Sequence, residues 1–398
     1  MNKIKPYQIW LLFSLITLSA IAIFSLSLPF RGDERHIVET IKLFTENFSF
    51  NTIKDYPEVT PPFFFMFYAL WGKIFGTSIE SLRIFTLIIS FNAWQLVFYL
   101  FRIFVKKEFH ALLLSLMVIV NPYFFGTSVF VFTDMLTILL SLAAIISFIK
   151  NKPILFMIFT TLAILCRQYV LIIPSAVMLY SLLIYKSDEK SGRKFILGSI
   201  ITFLPLLLLF AVWKNISPAS GIEKWIIPNS ALYNIDYLNA YITFSVIYIF
   251  PLVIVFFRKI KPDYKSILIA LGVTTLLSFS PIKPSIAALN FTDYKTVGFV
   301  HQGLAAIVGL DTLWLKIILA IFLLVGCFIN IELIKRFYSE ISAKFLGKEK
   351  IFILLWILFL VIMPFSYQVW EKYLTMILPF LILSIYLILN PKEIELKN

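Results

Sequence analysis

The sequence predicts an all-α, polytopic membrane protein, and three observations carry that prediction. Of its 398 residues, 60% are hydrophobic and 14% charged, whereas soluble globular chains hold about 45–50% apolar and about 25% charged residues. The apolar residues fall in successive blocks, several of them near the ~20 residues that a spanning helix needs. Lys and Arg sit in short runs between the blocks, which is the pattern that orients membrane helices. A soluble multidomain enzyme, a disordered chain and a disulfide scaffold are excluded. The two cysteines, Cys166 and Cys327, lie in or beside apolar blocks without metal-ligand spacing. Forty-two Phe against thirteen Gly argue against a β-barrel, whose lumen-facing alternation lowers the apolar fraction. The net charge of +13 is spread over loops, not clustered on a soluble face, so no nucleic-acid partner is expected.

The first block, Tyr7 to Leu28, follows Lys3 and Lys5. It is too long for a signal-peptide core and has no small-residue cleavage site after it, so it reads as the first membrane helix. Further blocks fall at 84–101, 110–126, 134–149, 153–166, 169–185, 195–213, 240–257, 266–280, 314–331, 351–365 and 373–389, which makes twelve expected helices in a single domain over 1–398. The stretch Phe63 to Phe75 is ambiguous, and charge decides it. If it does not span, and both termini are cytoplasmic, 22 of the 35 Lys and Arg lie inside and 12 outside, with Lys316 within a helix. Making it span moves the basic run at 102–107 outside and inverts everything after it.

The first outer loop, 29–83, is the longest and most acidic, and the remaining helices and short loops occupy 84–398. Within it Ile37, Ile41, Phe44 and Phe48 recur at helical spacing, with Glu39, Lys42 and Glu46 between them. That pattern predicts an amphipathic helix lying in the interface. Pro61-Pro62 and the aromatic run Phe63 to Tyr68 suggest a second one. Tyr56, Phe63, Phe64 and Tyr68 read as interfacial anchors before they read as the wall of a sugar or lipid groove. A loop of this length is expected to be functional, because long idle loops are rare.

With this topology the unusual polar residues gather at the outer face. Asp33, Glu34 and His36 follow the first helix, and Thr133-Asp134 begins the fourth. Arg167-Gln168 divides the fifth from the sixth, His301-Gln302 lies in a later outer loop, and Glu371-Lys372-Tyr373 opens the last helix. Each alone has a plain explanation. Thr133-Asp134 fits an ordinary N-cap, Arg167 fits a snorkelling anchor, and Gln168 and His301 can be satisfied by their neighbours. Their concentration on one face favours a catalytic or binding site.

These residues resemble the GT-C glycosyltransferases, and within them the α-1,2-glucosyltransferase family that adds the last glucose to a dolichol-linked oligosaccharide. The likeness rests on Asp33-Glu34 with nearby His36, then Thr60-Pro61-Pro62, Phe132-Thr133-Asp134, Cys166-Arg167-Gln168-Tyr169, and Glu371, Lys372-Tyr373 and Leu378-Pro379, in family order. The acidic pair stands one residue closer to His36 than in the family. Lys372 replaces an Arg and loses its bidentate fork. A His-containing block before the final helices is not recognisable, so acceptor specificity is not carried over. The chain is shorter than eukaryotic members, which favours a bacterial relative.

The resemblance implies transfer of a sugar, glucose by the family's example, from a dolichyl- or undecaprenyl-phosphate donor to a glycan or lipid-linked acceptor. Transfer would take place on the outer or lumenal face of a bacterial inner membrane, or of the endoplasmic reticulum in a eukaryote. Inversion at the anomeric carbon needs a carboxylate to take the acceptor proton. Asp33 is the expected base and Glu34 its substitute. Arg167, Lys372 and His301 are the expected ligands of the donor phosphate. His36, Thr60, Asp134, Gln168, Gln302, Glu371 and Tyr373 are expected around the substrates. No metal or other cofactor is expected, since polyprenyl phosphate leaves as a stable anion. The competing expectation is a transporter, which places polar groups on broken helices near the bilayer midplane. A purely structural membrane protein predicts no clustering of polar residues.

Overall fold

The computed structural model describes residues 5–185, 189–226, 233–291, 295–342 and 347–391. The expected cytoplasmic termini fall at residues 1–4 and 392–398, outside the described residues. Every element among the described residues is helical, and they group into two compact units, Met1–Ile226 and Ile227–Ile394.

The first unit starts with α1 (Pro6–Ser25), α2 (Glu34–Glu46), the short α3 (Phe50–Lys54), α4 (Phe63–Phe75) and α5 (Ile79–Phe104). It continues with α6 (Glu108–Ile119), α7 (Pro122–Thr127), α8 (Thr133–Ile149), α9 (Pro153–Ile164) and α10 (Ile172–Leu183), then α11 (Glu189–Trp213) and α12 (Ala219–Trp225). Here α8 packs between α5 and α9, α11 covers α9 and α10, and α1 lies on α5. The second unit holds α13 (Ile235–Tyr248), α14 (Phe250–Lys259), α15 (Tyr264–Ser278), α16 (Ile286–Phe291), α17 (Phe299–Val308), α18 (Leu313–Ser342), α19 (Ile351–Ile362) and α20 (Leu374–Leu389). In it α18 packs on α13 and α15, while α20 packs on α14 and α19 and is buried along its whole length.

Each of the twelve expected blocks coincides with helix, but not always with one uninterrupted span. Among the described residues, five helices are long and apolar enough to cross a membrane, or six if α13 and α14 count as one span bent by 84°. Pro251, at the start of α14, cannot donate to the preceding turn, which allows the bend. The block at 110–126 breaks at Asn121, whose Oδ1 accepts from the Tyr123 and Phe124 N–H groups and so caps α7. Helices α9 and α10 hold 12 residues each, about 18 Å at 1.5 Å per residue. The long apolar helices make this an integral membrane protein.

Two sequence expectations are corrected in the first loop. The apolar face of α2 does not lie open to the interface, because Ile37, Ile41 and Phe44 are buried where α2 packs on α4. Phe48 falls beyond the helix end and is exposed. Tyr56, Phe64 and Tyr68 are not interfacial anchors but fully buried core. Phe44, Tyr56 and Phe65 meet at ring distances of 5.4 to 6.2 Å, and the Tyr68 hydroxyl is hydrogen bonded to Thr86 Oγ1 at 2.9 Å. A loop long enough to build its own core has no need to borrow the lipid interface.

Candidate functional site

In the first unit the polar motifs converge. The chain leaves α1 and turns at Gly32, whose φ of +52° is open to Gly at no steric cost. A Cβ there would meet the Phe132 ring at 3.5 Å. Asp33 and Glu34 follow at the start of α2, where the helix dipole favours negative charge.

Glu34 is fully buried. Arg83 of α5 donates Nε to its Oε1 at 3.0 Å and Nη2 to its Oε2 at 2.6 Å, a bidentate pair. The Val131 N–H donates to Oε1 at 2.9 Å and the Arg31 N–H to Oε2 at 2.8 Å. Arg83 also donates to the carbonyls of Ser25, Leu26, Leu28 and Pro29, satisfying acceptors left over where α1 ends. This pair fastens the end of α1, the start of α2 and the segment before α8 to one point on α5.

Asp33 has a different setting. Its side chain is 48% exposed, and its Oδ1 stands 3.8 Å from His36 Nε2, an ion-pair separation. The other imidazole nitrogen, Nδ1, is hydrogen bonded to Glu58 Oε1 at 2.7 Å. Burial works against a charge on His36, but Asp33 and Glu58 outweigh it and push its pKa up to about 9. Glu58 is buried and takes a second bond from Thr40 Oγ1. The two carboxylates use opposite edges of one imidazole, so the three groups do not converge as ligands of one ion. Among the described residues no group of three or more His, Cys, Asp or Glu is placed to hold a metal.

The charged break at 167–168 stands beside this loop. Gln168 Nε2 donates to the Val59 carbonyl at 2.7 Å, and the Phe63 N–H to the Leu165 carbonyl at 3.0 Å. The Thr60 carbonyl accepts from the buried Tyr56 hydroxyl. Arg167 Nη2 donates to Asp134 Oδ2 at 3.0 Å and Oδ1 at 3.2 Å. Asp134 is buried, and Arg167 retains 12% exposure. The plain readings of these residues are therefore corrected. Asp134 is no N-cap, since the cap position belongs to Phe132 and no side chain caps it, and Gln168 serves the first loop and not its neighbour.

The second unit makes its own cluster. Glu371, just before α20, is buried, and accepts from the Val300 and His301 N–H groups at 3.0 and 2.8 Å and from the Tyr248 hydroxyl. It thus caps the start of α17 from another element. His301 is buried, accepts from the Val297 N–H at Nδ1, and lies 6.0 Å from the Phe244 ring. Burial lowers its pKa despite Asp311. His301 therefore does not pair with Gln302, which is exposed. Lys372 is half-buried and Tyr373 buried.

Sequence reasoning passed over Arg83 and Glu58. An Arg near the start of a long apolar helix was a usable signal, because a charge there needs a partner. Glu58, two residues before Thr60-Pro61-Pro62, resembles any loop acid and carried no signal.

The sequence matches no family model and no curated protein. Two solved structures of ArnT from Cupriavidus metallidurans are similar over most of the chain. The apo state shares 12% identity at a TM-score of 0.42, covering 98% of this chain and 78% of that one. The state bound to undecaprenyl phosphate shares 13% at 0.45, covering 96% and 77%. Values this low transfer neither fold nor activity.

Proposed function

We propose that the protein is a GT-C type glycosyltransferase that moves a sugar, glucose by its family resemblance, from a polyprenyl-phosphate donor to a glycan or lipid-linked acceptor. The observation that carries this reading is the convergence, in the first unit, of every motif from Asp33 to Gln168 on which the resemblance rests. A half-exposed carboxylate and a partly exposed guanidinium stand on segments joined by direct hydrogen bonds. Asp33 takes the proton of the acceptor hydroxyl as its oxygen bonds to the anomeric carbon. The bond from that carbon to the phosphate oxygen breaks, and its electron pair leaves with the polyprenyl phosphate. Arg167 meets the phosphate charge. Glu34 and Glu371 act as positioning residues, because their oxygens are already occupied by protein donors. Thr60, Asp134 and Gln168 are proposed around the substrates. The reaction proceeds without a metal, at the outer face of a bacterial inner membrane.

The transporter reading draws on the 84° break between α13 and α14. The carboxylate that meets this break, Glu371 against the Tyr248 hydroxyl, already accepts from the Val300 and His301 N–H groups, so it is engaged in joining elements and not held open for an ion of the kind broken transporter helices carry. The test is incubation of the purified protein with labelled polyprenyl-phosphate sugars and identification of the labelled product. Transfer to an acceptor supports the reading, and protein-dependent movement of an unaltered substrate across sealed vesicles overturns it.

A further inference from the structure

We propose that His36 is the positioning residue for the Asp33 carboxylate, and that Glu58 and α12 form the rigid backing that holds it in place. The inference rests on the glycosyl-transfer reading with Asp33 as base. The groups that face the His36 imidazole come from three segments. Asp33 comes from the start of its own helix, 3.8 Å from Nε2, and Thr40 of the same helix bonds the Glu58 carboxylate. Glu58 arrives from the loop before α4 and bonds Nδ1 at 2.7 Å. Trp225 arrives from α12, its ring centre 4.7 Å from the imidazole centre, with the Lys224 ammonium 4.9 Å over that same indole.

The backing is fixed to a degree that a passive loop does not need. A Cβ at Gly221 would fall 2.3 Å from the Glu58 carbonyl oxygen, so α12 lies directly on the Glu58 backbone. Trp225 Nε1 donates to the Pro57 carbonyl at 2.9 Å, and Ser217 Oγ donates to the Val59 carbonyl at 2.8 Å. Ser220 donates through its N–H and its hydroxyl to the Asp55 carboxylate. Residues 55–59 are therefore clamped on both sides of Glu58, and Glu58 in turn fixes which edge of the imidazole turns toward Asp33.

A base that accepts a proton only when a hydroxyl is in place gains from a carboxylate held in one orientation before the substrate arrives. A charged imidazole 3.8 Å away also attracts that carboxylate and so holds it in place. The His36 charge persists up to about pH 9, so both effects operate at neutral pH and are lost above it. The plain alternative is that His36 and Glu58 merely tie α2 to the following loop. It predicts effects on folding but none on the pH profile of turnover.

The experiment measures kcat and KM for a labelled polyprenyl-phosphate sugar against pH, with full-length protein checked for monodispersity. Wild-type turnover is expected to fall as pH rises through about 9. Glu58→Gln should move that fall to lower pH by about one unit or more and cut kcat about tenfold, with donor KM within about twofold. His36→Gln should remove the alkaline fall and cut kcat at neutral pH to a similar extent. It reports even if Glu58→Gln does not fold, because His36 is less buried. A folded His36→Gln enzyme with wild-type kcat and an unchanged alkaline limb overturns the inference while leaving the glycosyl-transfer reading intact. Absence of transfer by the wild-type protein from every donor overturns the reading beneath it, and the two failures are thereby told apart.

Discussion

Glu34 and Asp33 are neighbours in the chain, with opposite surroundings. Glu34 is buried and accepts four protein donors, two of them from Arg83. Asp33 is half-exposed beside a charged imidazole. A carboxylate whose lone pairs are filled cannot take a proton without breaking its own structure. One that is held beside an imidazole and reaches solvent can. The second unit repeats the Glu34 pattern in Glu371, whose oxygens accept from the start of α17 and from Tyr248. The buried carboxylates Glu34 and Glu371 join elements, whereas the proposed base Asp33 reaches solvent.

The largest expected effect lies on the structural side of that contrast. Arg83→Ala leaves Glu34 buried without a counter-charge and the carbonyls at the end of α1 without a donor. Breaking a buried pair from one side costs about 3–5 kcal/mol, so the yield of monodisperse protein in detergent should collapse. Normal yield with lost turnover would instead assign the Glu34 region to catalysis and dissolve the contrast.

Next in size is Asp33→Asn, expected to lower sugar transfer at least about 100-fold with yield and melting temperature unchanged. Near-normal turnover would remove Asp33 as the base. A smaller effect belongs to Arg167→Lys. Lysine can still reach Asp134 but lacks the planar fork for phosphate oxygens, so transfer at limiting donor should fall about tenfold, or about 1.4 kcal/mol. Equal activity would make Arg167 an anchor for Asp134 and remove it as the phosphate ligand.

The smallest effect is on stability against pH. His36 has its pKa raised in the folded state, from 6.5 to about 9. Its contribution is therefore complete below pH 6.5 and lost as pH rises through about 9. Melting temperature should decline over that window in the wild type and less so in Glu58→Gln. Equal declines in both would show that another group controls the window.

Much of the fold was legible without coordinates. Apolar blocks and the charges between them are local properties, so the twelve helical stretches and the break at Arg167-Gln168 could be read directly. Helix ends were less legible. Helix α5 runs from Ile79 to Phe104 and α18 from Leu313 to Ser342, beyond their apolar blocks, because polar residues continue a helix as readily once it has left the lipid. The motifs from Asp33 to Gln168 could be found as a list, but not their partners. Arg83 is 49 residues from Glu34, Gln168 is 109 from Val59, and Glu58 has nothing local to distinguish it from Asp55 or Glu46.

What the sequence determined by itself is thus the all-helical membrane character and the polar and charged residue types that interrupt the apolar blocks. These depend on transfer free energies and valence, which belong to residues singly or to short runs of them. What only the tertiary structure decided is what surrounds each carboxylate. Asp33 and Glu34 differ by one methylene and are almost equally acidic in water. The arrival of Arg83 and the Val131 N–H at one of them, and of a clamped His36 at the other, depends on how α1, α2, α5 and α8 pack. Hydrogen-bond saturation is a property of three-dimensional neighbours, and no run of sequence displays it.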